Sequence, residues 1–347
     1  MDIEVAPVSA WNWTEADEPP PTNSAQRMKI VRTVSELRAL LARKRRRGLT
    51  VGLVPTMGAL HYGHLSLIER ARDQSDVVVM SLFVNPTQFN EGADLERYPR
   101  DERRDAEVAA EHGVDLLFAP PVGEVYPHGF ATTVQVDGVS EPLEGAVRGA
   151  EHFRGVATVV TKLLCMIQPD VAYFGQKDAQ QVVVIRRLVA DLNLPVRIEA
   201  LPTVREPDGL ALSSRNALLS AQQREQALSL SAALRAAGEL AACGECEGSA
   251  LLAAALSTME AFDVRPEYLA LVDPDTLAPL RRLQDEALLA IAARIGEVRL
   301  IDNTILLAAG SQHDAVEPDN AHPHGHEGQA LDPTQPHQGE AIATCSA

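Results

Sequence analysis

The sequence predicts an α/β protein with a Rossmann-like parallel sheet domain and a smaller C-terminal α+β domain. Two observations support this. Apolar segments of strand length alternate with helical segments between residues 50 and 201. After about Thr203, two Ala-rich helical segments precede three apolar strands. We therefore predict domains at residues 27–203 and 204–308.

The parallel strands are predicted from five continuous apolar segments. They are TVGLVPT, DVVVMSLFVN, VDLLFAP, PDVAYFG and PVRIEAL, and the helices between them are predicted at 64–74, 101–112, 156–167 and 179–192. Continuous apolar strands indicate a parallel sheet that is covered on both faces. In such sheets, ligands bind beyond the carboxyl ends of the strands.

The C-terminal domain is predicted from a different succession of elements. Helices are expected at about 221–242 and 249–262, followed by the strands PEYLALVDP, ALLAIAARIG and VRLIDNTIL. Three strands that follow each other without intervening helices are typical of an α+β arrangement.

Both ends of the 347-residue chain are acidic and lack the pattern of a folded domain. Residues 1–26 contain five acidic residues and no basic one, and residues 309–347 contain six and none. We predict that both tails are disordered. The HPHGH segment of the second tail could bind a metal weakly, but disorder is favoured because a disordered tail rarely builds a specific site.

Charge and hydropathy exclude several classes of function. The formal net charge is −17, and the eleven acidic residues of the two tails leave the rest of the chain near −6, a mildly acidic balance that argues against a nucleic-acid backbone as partner. No apolar segment approaches the roughly 18–20 residues of a membrane span. The N-terminus lacks the basic start and apolar core of a signal peptide, so we expect a cytoplasmic protein with no membrane partner.

Four cysteines in a chain of this length do not form a disulfide framework. Cys243 and Cys246 form a CGEC segment that is similar to a redox or zinc half-site. No second pair accompanies it, and it lies between helical segments, so an incidental pair is favoured.

The segment VPTMGALHYGHLSL, at 54–67, carries the strongest chemical signal. Gly58 and Gly63 allow the backbone to approach a ligand closely where a strand passes into a helix. The free N–H groups of the helix start favour phosphate there. His61 and His64 can each donate a hydrogen bond to phosphate oxygens. The alternatives are structural or capping histidines, or a metal site, but no acidic or cysteine ligand accompanies the pair.

Three further segments offer polar groups near predicted strand ends. In FGQKD, Lys177 follows a strand and suits a phosphate, although a solvated surface lysine is the usual alternative. In LSSR, Ser213, Ser214 and Arg215 form a compact set of donors, or else a turn with a surface arginine. In NPTQF, Gln88 suits the carboxylate and hydroxyl groups of a small substrate.

Together these motifs resemble the pantothenate synthetase (pantoate–β-alanine ligase) family of the HxGH nucleotidyltransferase superfamily. VPTMGALHYGHLSLI, FVNPTQF, RYPR, YFGQKDAQQ and LSSRN occur in the family's order between about Lys29 and Leu307. The resemblance implies ATP-dependent condensation of pantoate with β-alanine through a pantoyl adenylate, with release of AMP and pyrophosphate. It also implies a homodimer formed through the N-terminal domain, and Mg²⁺ that arrives with the ATP phosphates without a dedicated protein site.

The resemblance also assigns residues. It implies that His64, which the family treats as a proton donor, acts in catalysis with His61 and Lys177, and that Gln88 and Gln181 bind pantoate, Gln88 also touching β-alanine. The implied ATP-binding residues are Met57, Gly58, Ala59, Leu60, His61, Tyr62, Gly63, His64, Gly175, Gln176, Lys177, Asp178, Val204, Leu212, Ser213, Ser214 and Arg215. We expect both histidines to stabilise the leaving pyrophosphate.

One segment departs from the family pattern. RGAEHF, at 148–153, stands where family members commonly have RPGHF, so no role is assigned there.

Two alternative functions stay open. An adenylyltransferase with a phosphate acceptor shares the HxGH motif, but FVNPTQF and YFGQKDAQQ favour the ligase. A nucleotide-binding module without catalysis would be expected to lack one of the histidines, Lys177 or Arg215, and all are present.

Overall fold

The computed structural model describes residues 28–89, 95–96 and 98–310. The predicted disordered tails lie outside the described residues, apart from Ala309 and Gly310, and so does Arg97 of the RYPR motif. Within the described part of the chain, no helix is long and apolar enough to cross a membrane.

A parallel sheet of six strands forms the N-terminal part of the fold. The strands lie in the order β1-β4-β3-β2-β5-β6. Their bounds are β1 Lys29–Val31, β2 Val51–Thr56, β3 Val77–Leu82, β4 Leu116–Phe118, β5 Val171–Gly175 and β6 Arg197–Leu201. The strand order changes direction between β2 and β5, because β3 and β4 follow on one side of β2 while β5 and β6 lie on the other. Open α/β sheets bind ligands at such a point. The predicted Rossmann-like sheet is confirmed.

The helices cover both faces of this sheet. They are α1 Val34–Arg45, α2 Tyr62–Gln74, α3 Glu102–Glu111, α4 Val122–Val125, α5 Glu144–Arg148, α6 Ala150–Ile167 and α7 Ala179–Asp191. Apolar residues of α1, α6 and α7 pack on one face, and those of α2 and α3 on the other. Leu53 and Val54 of β2 are both fully buried although they point to opposite faces, which explains the continuous apolar pattern.

Strand β1 and helix α1 were not predicted. β1 has only three residues and lies at the edge of the sheet, where Ile30 is exposed. In α1 the fully buried residues are Leu37 and Leu41, and its last turn is basic. β1 is too short to show a periodic pattern, whereas Val34, Leu37 and Leu41 of α1 have helical spacing after the N-cap Thr33, a signal that could have identified this helix.

The C-terminal part contains two helices and an antiparallel sheet in the order β7-β8-β9. The elements are α8 Ala221–Ala242, α9 Gly248–Ala261, β7 Pro266–Val272, β8 Glu286–Ile295 and β9 Val298–Leu307. Helix α8 begins at the predicted residue because Ser220 and Gln223 form a capping box. The α+β pattern is confirmed, whereas the division into two domains at residue 203 stays a prediction.

The CGEC segment lies between α8 and α9. Cys243 follows the last residue of α8 and is exposed, and Cys246 is partly buried. Both thiols are free, and in the described residues no group of three or more His, Cys, Asp and Glu side chains could hold a metal ion.

Candidate active site

The turn between β2 and α2, residues 57–61, has an unusual backbone. Gly58 and Ala59 both have positive φ angles, of 90° and 53°. The Gly58 N–H lies 3.4 Å from the Thr56 hydroxyl, which itself donates to the Ser81 carbonyl. Alanine rarely adopts the left-handed region, so the surroundings must hold the turn in this conformation.

His61 and His64 cap the start of α2. The Gly63 N–H donates to His61 Nδ1 at 3.2 Å, and the His61 N–H donates to His64 Nδ1 at 3.3 Å. The ring centroids are 4.2 Å apart. Because each Nδ1 accepts a hydrogen bond, each neutral ring carries its proton on Nε2. Both rings therefore have an Nε2–H that is available as a hydrogen-bond donor.

Both histidines favour the neutral form. Burial lowers the pKa of His64 to about 3, with a further contribution from His61. Burial also lowers the pKa of His61, and the positive charge of Lys177 acts in the same direction. At neutral pH the pair therefore offers two uncharged N–H donors.

The first turn of α2 differs from the prediction. The sequence suggested that its free N–H groups would face a phosphate. Instead, His61 occupies the N-cap position, the His61 ring accepts the Gly63 N–H, and the His61 carbonyl accepts the N–H of His64. Two backbone donors of the first turn, the N–H groups of Gly63 and His64, are therefore already used within the turn.

Strand β5 ends beside this turn and leads into a short 3₁₀ turn, Gln176–Asp178. Its Lys177 is partly buried and lines a cavity of about 10 Å³ together with Ser213 and Asp302. Asn303 of β9 donates both amide hydrogens to the carbonyls of Gln176 and Lys177, at 3.0 and 2.8 Å. The C-terminal sheet thus fixes the backbone that carries Lys177.

Gln88 lies in the 3₁₀ turn Pro86–Gln88, after β3. Its Nε2 lies 2.8 Å from Met57 Sδ, which places it beside the β2–α2 turn. The buried Asn85 donates to Gln88 Oε1 at 3.1 Å and accepts the Tyr126 hydroxyl at 2.8 Å. A Cβ at Gly155 would lie 2.5 Å from the Thr87 carbonyl oxygen, so glycine lets α6 pack against this turn.

The other predicted residues lie on neighbouring segments. Gln181 is partly buried in the first turn of α7, immediately after the turn that carries Lys177. The Leu212 N–H donates to the Val204 carbonyl at 3.0 Å. Ser213 caps the short helix Ser214–Leu218, in which Ser214 and Arg215 are exposed. Arg215 lies within electrostatic range of Tyr98 and Arg148, on the N-terminal side of the site.

The segment 148–153, which departs from the family pattern, lies against the Gln88 turn. Arg148 Nε lies 3.2 Å from Glu144 Oε2 and Nη1 lies 3.4 Å from the His152 ring. His152 Nδ1 lies 3.1 Å from the Gln88 carbonyl oxygen. The pKa of His152 is lowered to about 4 by burial and then by the charge of Arg148. The segment therefore contacts the predicted substrate-binding residue even though no role was predicted for it.

The lowered pKa values of these partly buried histidines predict a dependence of stability on pH. His64 and His152 have folded pKa values below the unfolded value of about 6.5, so the unfolded state binds more protons as the pH falls. Each histidine is expected to lower the free energy of unfolding by up to about 1.4 kcal/mol for every pH unit below 6.5. Urea titrations at pH 7, 6 and 5 measure this loss. His61, whose pKa is also lowered, contributes in the same direction, so His152→Gln should show a smaller loss than the wild type but not none. An equal loss in both proteins would contradict the assignment.

Comparison with known proteins identifies the family. The family model described as pantoate-beta-alanine ligase matches residues 29–305. A pantothenate synthetase of Moorella thermoacetica is 54% identical over 280 residues, covering 80% of this chain and 99% of the relative. One of Cereibacter sphaeroides is 55% identical over 274 residues, covering 79% and 98%.

Solved structures show the same similarity. Pantothenate synthetase from Thermus thermophilus aligns with a TM-score of 0.75 at 52% identity, covering 80% of this chain and 99% of that one. The pantoate-beta-alanine ligase from Francisella tularensis, complexed with beta-gamma ATP and beta-alanine, aligns with a TM-score of 0.66 at 35% identity, covering 80% and 97%. The sequence motifs, the sheet order and these matches agree, and the chain belongs to the pantoate–β-alanine ligase family.

Proposed function

We propose that this enzyme condenses pantoate with β-alanine in an ATP-dependent reaction through a pantoyl adenylate, releasing AMP and pyrophosphate. The observation that carries the proposal is the set of donors at the point where the sheet order reverses. The neutral Nε2–H groups of His61 and His64 lie there with Lys177 and the amide of Gln88. The Francisella relative, whose complex contains beta-gamma ATP and beta-alanine, supports the same choice of ligands.

The first step joins pantoate to ATP. A carboxylate oxygen of pantoate attacks the α-phosphorus, and the bond to the bridging oxygen breaks as pyrophosphate leaves. Negative charge grows on that oxygen, and the two histidines and Lys177 stabilise it by hydrogen bonding and charge. Ser213, Ser214 and Arg215 supply further donors from the C-terminal part. The resemblance identifies further residues on the β2–α2 turn and at 175–178, together with Val204 and Leu212. We assign nucleotide binding to them.

The second step forms the amide bond. The amine nitrogen of β-alanine attacks the acyl carbon, AMP leaves with the electron pair of the broken C–O bond, and the nitrogen loses a proton. Gln88 and Gln181 hold pantoate in line, and Gln88 also contacts β-alanine. Asn85 orients the Gln88 amide by donating to its oxygen. No protein nucleophile takes part, so alignment and charge stabilisation account for catalysis.

We assign Mg²⁺ to the ATP phosphates. Magnesium commonly retains several waters and binds through substrate phosphates and one or two carboxylates. Asp178 is exposed beside Lys177, so its carboxylate can provide such a protein contact. Bound there, the ion would neutralise phosphate charge.

We also propose a cytoplasmic homodimer in which residues 27–203 and 204–308 form two domains, the second closing over the site. Protection of a reactive acyl adenylate from water supports closure. Asn303 joins β9 to the turn at Lys177, so we expect the exposed Ser214 and Arg215 to move most when this domain closes. Small-angle scattering should detect compaction when ATP and pantoate are added, and light scattering should give the dimer mass.

The test of the proposed reaction separates its two steps. Pantoate-dependent exchange of labelled pyrophosphate into ATP, measured with Mg²⁺ and without β-alanine, should report the first step. Addition of β-alanine should yield AMP and pantothenate in equal amounts. Pyrophosphate exchange that requires a phosphorylated acceptor instead of pantoate would identify an adenylyltransferase, and ATP binding without exchange would identify a non-catalytic module.

A further inference from the structure

Asp105 is a buried carboxylate that contacts the β2–α2 turn from behind. It lies on α3, is 3% exposed, and lies 46 residues from Ala59 in sequence. Its Oδ2 accepts the Ala59 N–H and its Oδ1 accepts the Leu60 N–H, both at 3.0 Å. Both carboxylate oxygens therefore bind consecutive backbone donors of a single turn, and hydrogen bonds to a carboxylate are among the stronger ones in proteins.

The conformation of the turn matches this contact. A Cβ on Gly58 would lie 2.8 Å from Asp105 Oδ2, so the carboxylate packs directly against the backbone. Ala59 has a φ angle of 53°, which L-residues seldom adopt without support. The two hydrogen bonds supply that support at the residue that needs it.

The same contact determines the orientation of the histidines. Leu60 precedes His61, and the His61 N–H is the group that donates to His64 Nδ1. Release of the Leu60 N–H would free the next peptide to rotate, and His64 Nδ1 would lose its donor. The ring would then have no fixed tautomer, and its Nε2–H would no longer be held toward the site.

We propose that Asp105 is a positioning residue that holds residues 57–61 so that both histidines present Nε2–H to the nucleotide. The role in adenylation rests on the proposed function, whereas the effect on the ring tautomers does not. Asp105 acts through the turn and does not touch the substrates.

The test compares Asp105→Asn with Asp101→Asn in the full-length chain. An Asn side chain retains one acceptor but places an NH₂ group against the second backbone N–H. Asp101 caps the same helix, and Asn caps equally well, so this control also removes one carboxylate from α3. We expect Asp105→Asn to lower pantoate-dependent pyrophosphate exchange roughly 10- to 100-fold and to raise KM for ATP, while Asp101→Asn matches the wild type.

A second readout does not depend on activity. Nitrogen NMR of the histidine rings at pH 7 should show the wild-type His61 and His64 as Nε2–H tautomers, and His64 of Asp105→Asn as a mixture. A folded Asp105→Asn protein with wild-type exchange would overturn the proposal, and so would slow exchange with unchanged tautomers. If Asp105→Asn shows no cooperative urea transition, Asp105→Ser, which keeps one acceptor oxygen, replaces it. If the wild type lacks exchange, the proposed function fails, while the ring signals still test Asp105.

Discussion

Replacing His64 by Ala is expected to lower kcat/KM for pantothenate formation about 100- to 1,000-fold, the range seen when one donor to a developing charge is removed. Burial lowers the pKa of His64 to about 3. In the proposed reaction it would meet the leaving group as a neutral donor. The variant also loses the acceptor of the His61 N–H, so Ala alone does not separate the two functions of the ring.

Two further substitutions separate them. Asn places an acceptor oxygen near the position of Nδ1, so His64→Asn keeps the cap but lacks the distal donor. Gln places an N–H₂ group near the position of Nε2, so His64→Gln keeps the donor but lacks the cap. If hydrogen-bond donation is what the reaction requires, His64→Asn should be as slow as His64→Ala. His64→Gln should stay within about tenfold of the wild type.

The comparison also distinguishes hydrogen-bond donation from proton donation. A general acid must release its proton, which a Gln amide does not do, so equal losses in the Ala, Asn and Gln variants would contradict our assignment and favour proton transfer. Urea midpoints for all three proteins control for the loss of the cap. Pyrophosphate exchange without β-alanine localises the loss to the first step.

The parts of the site that the sequence predicted are those encoded in short contiguous segments. The strands around Val54 and Phe174 are apolar throughout because they are buried, and the motif that carries His61 and His64 follows the first of them directly. Lys177 follows the second in the same way. In a parallel sheet, residues just after neighbouring strands meet at one edge, so local pattern is enough to bring these groups together.

The residues that support the site were not predicted, because their partners are distant in sequence. Asp105 holds backbone 45 and 46 residues earlier, and Asn303 holds carbonyls 126 and 127 residues earlier. One signal in the sequence could have identified Asp105. It is an acidic residue on the same helix face as Ala106 and Ala109, which are buried. The cap formed by His61 is one of the alternatives that the sequence left open, although Ser, Thr, Asp and Asn are the usual N-cap residues.

Replacing Glu144 by Ala is expected to have the largest effect on stability, about 3–5 kcal/mol of unfolding free energy. Glu144 lies in α5 and is 7% exposed. Its two oxygens each lie 2.8 Å from a terminal nitrogen of Arg299 on β9, and Oε1 also accepts the Tyr268 hydroxyl at 2.9 Å. The variant leaves the largely buried guanidinium of Arg299 with Glu267 as its remaining carboxylate, 2.5 Å from Nε, and leaves the partly buried Tyr268 hydroxyl without this acceptor.

The size of the loss depends on charge that is left uncompensated, which a double-mutant cycle can measure. In Arg299→Ala, Glu144 keeps its contacts with Arg148 and Tyr268. Glu267 keeps its ion pair with Arg294. Removing Glu144 and Arg299 together removes both charges of the pair, so the double variant should be less destabilised than the sum of the single variants. We expect a coupling of about 1–3 kcal/mol from urea titrations at pH 7.

A matched control is the exposed pair Arg103 and Glu107 on α3, whose side chains are 89% and 61% exposed. Glu107→Ala should change the free energy of unfolding by no more than about 0.5 kcal/mol. Additive losses at Glu144 and Arg299 would contradict a direct pair. Because this pair joins β9 to α5 while Asn303 joins β9 to the turn at Lys177, both contacts restrain the same strand.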